Sequence, residues 1–242
     1  MEEEHFYLGL DVGGSNLAAG VVDKDYHILG KAEIPTNAGR TADEIISDMV
    51  EVCLQAMEKS GLEMKRISSW GIGMPSCINR KTNLLVHANC FGWKNFPIYD
   101  YLKDRLPLSV YIENDANCAT YGEALAGAAK GYSNVLMLTL GTGVGGGIII
   151  DGKIYTGADN MGAELGHTKL VYGGELCTCG QRGCLESYCS STALRRIAGL
   201  AMTEHPESQM VQLCNEYQRD VDGKIIFQAA KEGDEVAKKN CT

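Results

Sequence analysis

The amino-acid sequence predicts an α/β fold, and three features lead to that prediction. Short apolar runs bounded by turn residues indicate β-strands, beginning with residues 6–10, which lead into a turn at residues 11–15. Apolar residues recur at helical spacing between residues 41 and 60. A strand, a glycine-rich turn and a second strand open the chain, and the same pattern returns near residue 140. The chain therefore contains one structural unit twice.

The other strand and helix signals follow in order along the chain. In the first half, strands are predicted at residues 17–22, 28–34, 69–74 and 109–112, and a helix at residues 116–129. In the second half, strands are predicted at residues 135–140, 144–150 and 153–155, the last after an Asp-Gly hairpin signal. We place a domain boundary after residue 122, which defines an N-terminal α/β domain (residues 1–122) and a second α/β domain (residues 123–242).

Composition and charge argue against several classes of protein. The 242 residues carry a formal net charge of −9 without a Lys/Arg cluster, so we expect neither a nucleic-acid nor a membrane partner. No apolar run reaches the length of a membrane span, and residues 1–4 are acidic where a signal peptide is basic. We therefore expect a cytoplasmic protein, whose cysteines are thiols or metal ligands more often than disulfides.

Two glycine-rich turns are candidate phosphate-binding sites. Their residues are Gly13, Gly14 and Ser15 in the first turn and Gly141, Thr142 and Gly143 in the second. Backbone amides and hydroxyl groups of such turns can hold a polyphosphate, because glycine places no Cβ between the amides and the phosphate oxygens. Asp11, at the end of the first strand, suits a hydrated Mg²⁺ shared with those phosphates. Each turn alone is equally consistent with an ordinary hairpin, and neither matches a Walker A loop or a dinucleotide fingerprint.

A cluster of cysteines with a nearby histidine predicts a metal site. Its candidate ligands are His167, Cys177, Cys179 and Cys184, with Gly180 and Gly183 allowing tight bends between the thiols. Three thiolates and one imidazole favour Zn²⁺ over Mg²⁺ or Ca²⁺ and form a closed, structural site. The alternative is a set of reduced cysteines without a metal.

Taken together, the motifs resemble those of the ROK family (repressors, open reading frames and kinases). Residues 162–167, followed by the cysteine cluster and residues 185–187, are similar to the family signature. Residues 71–75, 113–117 and 140–147 stand in the family's order and spacing. The resemblance covers essentially the whole chain. It implies the actin/hexokinase-like ribonuclease H fold, in which two α/β domains are separated by a cleft.

The resemblance also implies a function, which is ATP-dependent phosphorylation of a hexose, glucokinase-like, or of an N-acetylated amino-sugar. Asp115 resembles the general base that takes a proton from the attacking sugar hydroxyl; the structural alternative is an N-cap of the helix that follows it. The residues that resemble the family's sugar-binding set are Asn89, Asn114, Glu164, His167 and Glu186. His167 would serve twice, with one ring nitrogen on zinc and the other donating to the sugar. Structural Zn²⁺, Mg²⁺ with ATP, and a homodimer or homotetramer are implied as well.

Two departures from the family pattern qualify these expectations. Ser76 follows Pro75 where the family usually has glycine. Residues 224–242 resemble a family helix with Gly233-Asp234 in its middle, beyond which relatives continue with a second adenosine-binding segment. We therefore expect an incomplete adenosine pocket. Two alternatives stay open: a sugar-binding but catalytically inactive remnant, or a sugar-responsive regulator that lacks a DNA-binding domain.

Overall fold

A computed structural model describes residues 5–241 of the chain, so the acidic start at residues 1–4 lies outside the described residues. The strands are β1 (Phe6–Val12), β2 (Asn16–Val22), β3 (Ile28–Pro35), β4 (Ile67–Met74), β5 (Ile78–Asn79), β6 (Leu84–Ala88), β7 (Trp93–Phe96), β8 (Ser109–Asn114), β9 (Val135–Leu140), β10 (Val144–Ile150) and β11 (Lys153–Ile154). The helices are α1 (Ala42–Ser60), α2 (Ile98–Leu102), α3 (Asp115–Ala126), α4 (Glu186–Cys189), α5 (Ser191–Glu204), α6 (Gln209–Tyr217), α7 (Gly223–Lys231) and α8 (Glu235–Asn240). Within the described range, none of these helices combines the length and the apolar character that a membrane crossing requires.

The chain divides into two compact units. Unit 1 comprises Met1–Met137 and Gly147–Ala163, and unit 2 comprises Leu138–Gly146 and Glu164–Thr242. The chain passes from one unit to the other within β9, within β10 and after Ala163. The domain boundary after residue 122 stays a prediction.

Unit 1 is built around a five-stranded mixed sheet with the strand order β3-β2-β1-β4-β8. The first three strands form an antiparallel meander, whereas β4 runs parallel to both β1 and β8. Helix α1 packs against this sheet, and a Cβ at Gly30 of β3 would collide with the Ala56 carbonyl of the helix. The apolar face of α1 and the inward side chains of the sheet form the core, in which Leu8, Trp70 and Ile72 are at most 2% exposed.

Helix α1 starts and stops where its sequence dictates. Thr41 and Glu44 form a reciprocal capping box: the Thr41 side chain accepts from the Glu44 amide, and the Glu44 side chain accepts from the Thr41 amide. Gly61 ends the helix in the left-handed conformation, at φ 70°, which glycine adopts without strain. These signals place α1 within one residue of the prediction.

Unit 2 contains a smaller helical core. Its buried members are Ala198, Met210, Leu213, Ile225, Ile226, Ala229 and Ala237, contributed by α5 to α8. The prediction of one helix through Gly233 is wrong, because α7 ends at Lys231 and a new helix, α8, begins at Glu235. Gly233 has φ 104°, a left-handed conformation that interrupts the helix, and the Asp234 side chain caps α8 by accepting from the amides of Val236 and Ala237.

Candidate functional site

The carboxyl ends of the parallel strands in unit 1 bring acidic residues to one edge of the sheet. Asp11 of β1 is in register with Gly73 of β4, and Gly73 is in register with Glu113 of β8. Since neighbouring strands lie about 4.8 Å apart, the Cα atoms of Asp11 and Glu113 are roughly 10 Å apart. Asp115 follows Glu113 by two residues and begins α3. The carboxyl groups of Asp11, Glu113 and Asp115 therefore lie at the same edge of the sheet.

Helix α3 begins one residue earlier than predicted, which changes the structural role of two site residues. The N-cap is Asn114, whose Oδ1 accepts from the Asn117 amide at 3.0 Å, so the capping role considered for Asp115 is wrong. Asp115 is the first helical residue, and its Oδ1 accepts from the Ala116 amide at 2.8 Å. The half-buried Asp115 carboxylate thus sits at a helix N-terminus, where negative charge is favourable.

Glu113 makes hydrogen bonds at the start of α3, and the sequence analysis assigned it no role. Its Oε1 accepts from the Asn114 amide at 2.9 Å and from Asn117 Nδ2 at 3.1 Å. Its Oε2 accepts from Arg80 at 3.1 Å. The side chain therefore fixes the backbone that carries Asn114 and Asp115, although nothing in the sequence pattern distinguishes it from a catalytic carboxylate.

The acidic edge affects the ionisation of a neighbouring thiol, that of Cys118. Partial desolvation of its thiol, together with the negative charges of Glu113, Asp115 and Asp11, raises the pKa of Cys118 to about 12. The Asp11 side chain is accessible, yet partial desolvation of its carboxyl group raises its pKa above the usual value. A divalent cation at this edge would relieve the mutual repulsion of these carboxylates.

The first glycine-rich turn joins β1 to β2 in unit 1. A Cβ at Gly13 would lie 2.8 Å from the Asn16 carbonyl oxygen, so the turn requires glycine there. Thr36, fully buried behind the turn, donates its hydroxyl to the Gly13 carbonyl at 2.7 Å, and its amide donates to the Ser15 carbonyl at 2.8 Å. Ser15 itself is exposed. Thr36 was not predicted, because its partners lie more than 20 residues away.

Asn89 lies beside this turn in unit 1. It begins a short 3-10 segment, Asn89–Phe91, whose Cys90 side chain packs against Gly14. Asn89 is exposed, and Trp93 follows in β7, where its ring stacks on Phe96 at a centroid distance of 4.2 Å. The predicted residues Asp11, Gly13, Gly14, Ser15, Asn89, Asn114 and Asp115 all belong to unit 1.

The second glycine-rich turn, between β9 and β10, belongs to unit 2. Its accessible tip is Gly141-Thr142, and the Gly141 amide donates to the Gly143 carbonyl at 3.0 Å. Two groups at the start of α5 hold the turn: the Ser191 amide donates to the Gly141 carbonyl at 2.9 Å, and the Thr192 hydroxyl donates to the Thr142 carbonyl at 2.8 Å. The amides of this turn are therefore oriented by a helix that begins nearly fifty residues later.

Glu164 precedes a 3-10 segment of unit 2, Leu165–His167, of which His167 is the last residue. Gly166, between them, lies against β10 so closely that a Cβ would collide with the Val144 carbonyl oxygen. The His167 amide donates to the Glu164 carbonyl at 3.1 Å. Glu164 is exposed and His167 is half-buried. The close approach of Gly166 to Val144 places this segment beside the start of β10.

Glu186, the first residue of α4, contacts both the second glycine-rich turn and the cysteine cluster. Its Oε2 accepts from the Val144 amide at 3.0 Å, and a Cβ at Gly143 would collide with that oxygen. Its Oε1 accepts from the Thr178 hydroxyl at 3.0 Å and lies 3.6 Å from the Cys177 sulfur. A carboxylate that joins two motifs 34 residues apart is not visible in the sequence.

The four predicted metal ligands come together in unit 2. One ligand atom each from His167, Cys177, Cys179 and Cys184 lies within 4.8 Å of the other three. Cys179 Sγ is 3.7 Å from Cys184 Sγ, and Cys177 Sγ is 3.6 Å from His167 Nδ1. A tetrahedral zinc with Zn–S bonds of about 2.3 Å requires separations of about 3.8 Å between sulfurs, so the residues fit such an ion.

The backbone around the cluster accounts for its glycines. Gly180 and Gly183 have φ angles of 83° and 80°, the left-handed region in which other residues are strained. A Cβ at Gly183 would also collide with the Val171 carbonyl. The predicted bends at both glycines are confirmed.

Neighbouring groups shift the pKa values of two of the thiols in opposite directions. Although burial opposes ionisation, hydrogen bonds from the Cys179 amide and the Ser187 hydroxyl lower the pKa of Cys177 to about 7. Burial and the charge on Cys177 raise the pKa of Cys179. Lys169 Nζ, which was not predicted, donates to Cys184 Sγ at 3.3 Å. Because three thiolates with one zinc carry a net negative charge, this ammonium group suits the loaded site.

Comparisons with known proteins agree with this architecture. A model of the ROK family matches residues 7–242. The glucokinase of Halalkalibacterium halodurans is 39% identical over 240 residues, covering 97% of this chain and 71% of that protein. A ROK family glucokinase from Streptomyces griseus, solved in complex with glucose and AMPPNP, superposes with a TM-score of 0.82 at 36% identity and covers 97% of this chain and 74% of that one. The predicted actin/hexokinase-like ribonuclease H fold of α/β type is confirmed.

Similarity extends to regulators at lower identity. The xylose repressor of Caldicellulosiruptor bescii is 28% identical over 238 residues, covering 96% of this chain and 57% of that protein.

Proposed function

The chain belongs to the ROK family, and from this premise we propose that it is an ATP-dependent sugar kinase, glucokinase-like, acting on a hexose or an N-acetylated amino-sugar. Glucokinases among its relatives are 36–39% identical to it. The observation that carries the proposal is the position of Asp115, at the N-terminus of α3 and beside the strand edge that holds Asp11.

In the proposed reaction, Asp115 accepts the proton of one sugar hydroxyl as its oxygen attacks the γ-phosphorus of ATP. The bond from that phosphorus to the bridging oxygen of ADP breaks, and the products are sugar phosphate and ADP. Most of the acceleration comes from positioning and from stabilising the phosphoryl charge, with the carboxylate contributing as a general base. Glu113 supports this role by holding the backbone of residues 114 and 115 through its hydrogen bonds.

The nucleotide phosphates are bound by the two glycine-rich turns in this proposal. Ser15 and Thr142 supply exposed hydroxyl groups, and Gly13, Gly14, Gly141 and Gly143 place no side chain between the turns and the phosphate oxygens. The amides of Gly13 and Gly141 already donate within their turns, to the carbonyls of Asn16 and Gly143. Asp11 binds Mg²⁺ that accompanies ATP. The raised pKa of its carboxyl group, caused by partial desolvation, is the property expected of a site completed by a cation.

The sugar is held by Asn89, Asn114, Glu164, His167 and Glu186, whose amide, carboxylate and imidazole groups suit paired hydroxyls. A structural Zn²⁺ bound by His167, Cys177, Cys179 and Cys184 would fix the tautomer of His167. Nδ1 is the ring nitrogen that lies 3.6 Å from Cys177 Sγ, so Nδ1 would bind the metal and Nε2 would donate to the sugar. The zinc then supplies rigidity and takes no part in phosphoryl transfer.

A coupled assay for ADP release, run with glucose, mannose and N-acetylmannosamine, tests this function. We expect sugar-dependent ADP release with at least one of them, at a rate well above ATP hydrolysis without sugar. Sugar binding by calorimetry without any ADP release would refute the kinase proposal.

The second candidate is a sugar-responsive regulator, and the similarity to a xylose repressor supports it. That outcome predicts binding of a sugar without turnover, and a change in binding to a partner on sugar addition. The net charge of −9 argues against direct binding of this chain to DNA. The same panel therefore separates the two candidates.

A further inference from the structure

We propose that Glu186 is a positioning residue that links metal occupancy of the cysteine cluster to the conformation of the second glycine-rich turn. The proposal assigns Glu186 a role beyond contact with a sugar hydroxyl. In this proposal the metal stabilises the second glycine-rich turn as well as the proposed sugar-binding residues. All the residues concerned belong to unit 2.

The link is a continuous set of contacts with Glu186 in the middle. On one side, Thr178 lies between two metal ligands, Cys177 and Cys179, and its hydroxyl donates to Glu186 Oε1 at 3.0 Å. On the other side, Glu186 Oε2 accepts from the Val144 amide at 3.0 Å. A metal that fixes the two cysteines therefore fixes Thr178, and through Glu186 it fixes the backbone at the start of β10.

The environment of Glu186 makes this contact specific. The side chain is half-buried, and Gly143 permits the approach of its carboxylate because any Cβ at that position would collide with Oε2. Hydrogen bonds to a charged group are stronger than those between neutral groups, and partial burial strengthens them further. The contact is thus strong enough to order an otherwise accessible turn.

The segment that follows the metal cluster reinforces the same turn. Ser191 and Thr192, five and six residues beyond Glu186, hold the carbonyls of Gly141 and Thr142. Residues 184–192 consequently carry one metal ligand at one end and three contacts to the glycine-rich turn along their length. Loss of the metal frees the anchored end of this segment and loosens every contact that it makes to the turn.

A consequence for binding follows, and this step rests on the proposed function. If the turn binds nucleotide phosphates, the metal raises nucleotide affinity, and by linkage the nucleotide raises metal affinity by the same factor. Coupling of this kind between two sites typically amounts to about 5- to 150-fold.

The test measures hydrogen exchange of the Val144 amide in zinc-loaded protein, a readout that requires neither sugar nor ATP. We expect exchange at Val144 to become about tenfold or more faster in Glu186→Ala, because a charge-assisted hydrogen bond is lost. Glu186→Gln, which keeps an oxygen acceptor, should stay closer to the wild type. Thr178→Val should show a smaller increase of about fivefold. Thr203→Val is the matched control, since its exposed hydroxyl bonds the Gly199 carbonyl far from the turn.

The same exchange measurement is then made after zinc has been removed with a chelator, in the wild type and in Glu186→Ala. We expect faster exchange at Val144 in the wild type and little further increase in Glu186→Ala, because both changes break one pathway. Equal acceleration in the two proteins, or exchange in zinc-loaded Glu186→Ala and Thr178→Val that matches Thr203→Val, would overturn the proposal. If chelation also speeds exchange at the amide of Ala198, in the core of unit 2, the metal-free protein has lost more than the local contact. The comparison of the variants in zinc-loaded protein then tests the proposal. Binding of Mg²⁺-AMPPNP is measured separately: its absence in the wild type refutes the kinase function and leaves the exchange result intact.

Discussion

Replacing Asp115 with asparagine tests the proposed general base while leaving the local structure in place. The Asp115 Oδ1 atom accepts from the Ala116 amide at 2.8 Å, and an asparagine carbonyl oxygen can accept the same bond. The N-cap of α3 is Asn114, which the substitution does not alter. The variant should therefore fold normally, so that a change in rate reports on chemistry.

The expected magnitude follows from what the substitution removes. General-base catalysis contributes a factor of about 10² to 10⁴, or about 2.7–5.5 kcal/mol of transition-state stabilisation. The amide cannot accept the hydroxyl proton, so we expect the single-turnover rate of phosphoryl transfer to fall by that factor. Sugar affinity should change by no more than a few-fold, because the side chain keeps its size and an oxygen acceptor.

A thiol provides an internal check on the loss of charge. Partial desolvation of the thiol and the charges of Glu113, Asp115 and Asp11 raise the pKa of Cys118 to about 12. In Asp115→Asn the pKa of Cys118 should fall, since one of the three charges is gone, while desolvation of the thiol still keeps it above the usual value.

Rapid-quench kinetics with enzyme in excess over ATP measure the rate, and calorimetry measures sugar affinity. Asp100→Asn, on the exposed side of α2, is the matched control and should behave as the wild type. The reasoning is refuted if Asp115→Asn retains the wild-type rate. It is refuted equally if the rate and the sugar affinity fall together by the same factor, because the residue would then act in binding.

Two further predictions concern the metal site and the stability of unit 2. Zinc affinity should fall as the pH is lowered through about 7, because protons compete with zinc for Cys177, whose pKa is lowered to about 7. Competition with a chromophoric chelator measures the zinc affinity. An affinity that does not depend on pH would contradict the prediction. Asp234→Ala should destabilise the protein by about 2 kcal/mol in urea unfolding, since Asp234 caps α8 and accepts from Ser208 and Gln209. Despite burial, these hydrogen bonds lower the pKa of Asp234, so its stabilisation is present above about pH 4 and is lost as the pH falls through the lowered pKa. The difference between variant and wild type should shrink accordingly at acidic pH.

The sequence predicted those strands and helices that are determined by residues close together in the chain. The strands that form the sheet of unit 1 and helix α1 were placed to within two residues, because alternating apolar residues, a capping box and Gly61 determine them. The three-stranded sheet of β5, β6 and β7 was not predicted. Its strands have two, five and four residues, and such short segments become strands only by pairing with one another.

In the candidate site, too, local patterns were predicted and contacts between distant residues were not. The metal ligands were predicted because three thiols within eight residues, with a histidine nearby, form a pattern typical of zinc sites. Glu113, Thr36 and Lys169 were missed because the fold brings each close to a distant partner, and their residue types are common. The partners are Arg80, Gly13 and Cys184 respectively. The glycines inside β10 have a structural cause: Gly146 packs against Leu165 and Gly147 against Thr120, so a side chain at either position would collide with its neighbour.

The two tryptophans of unit 1 give the protein an optical reporter of its own. Trp70 is fully buried in the core, so its emission should stay constant while the protein remains folded. Trp93 is partly exposed, and it follows the proposed sugar contact Asn89 by four residues. A ligand that reorders residues 89–96 would therefore shift the fluorescence of one indole against the steady background of the other, without any label.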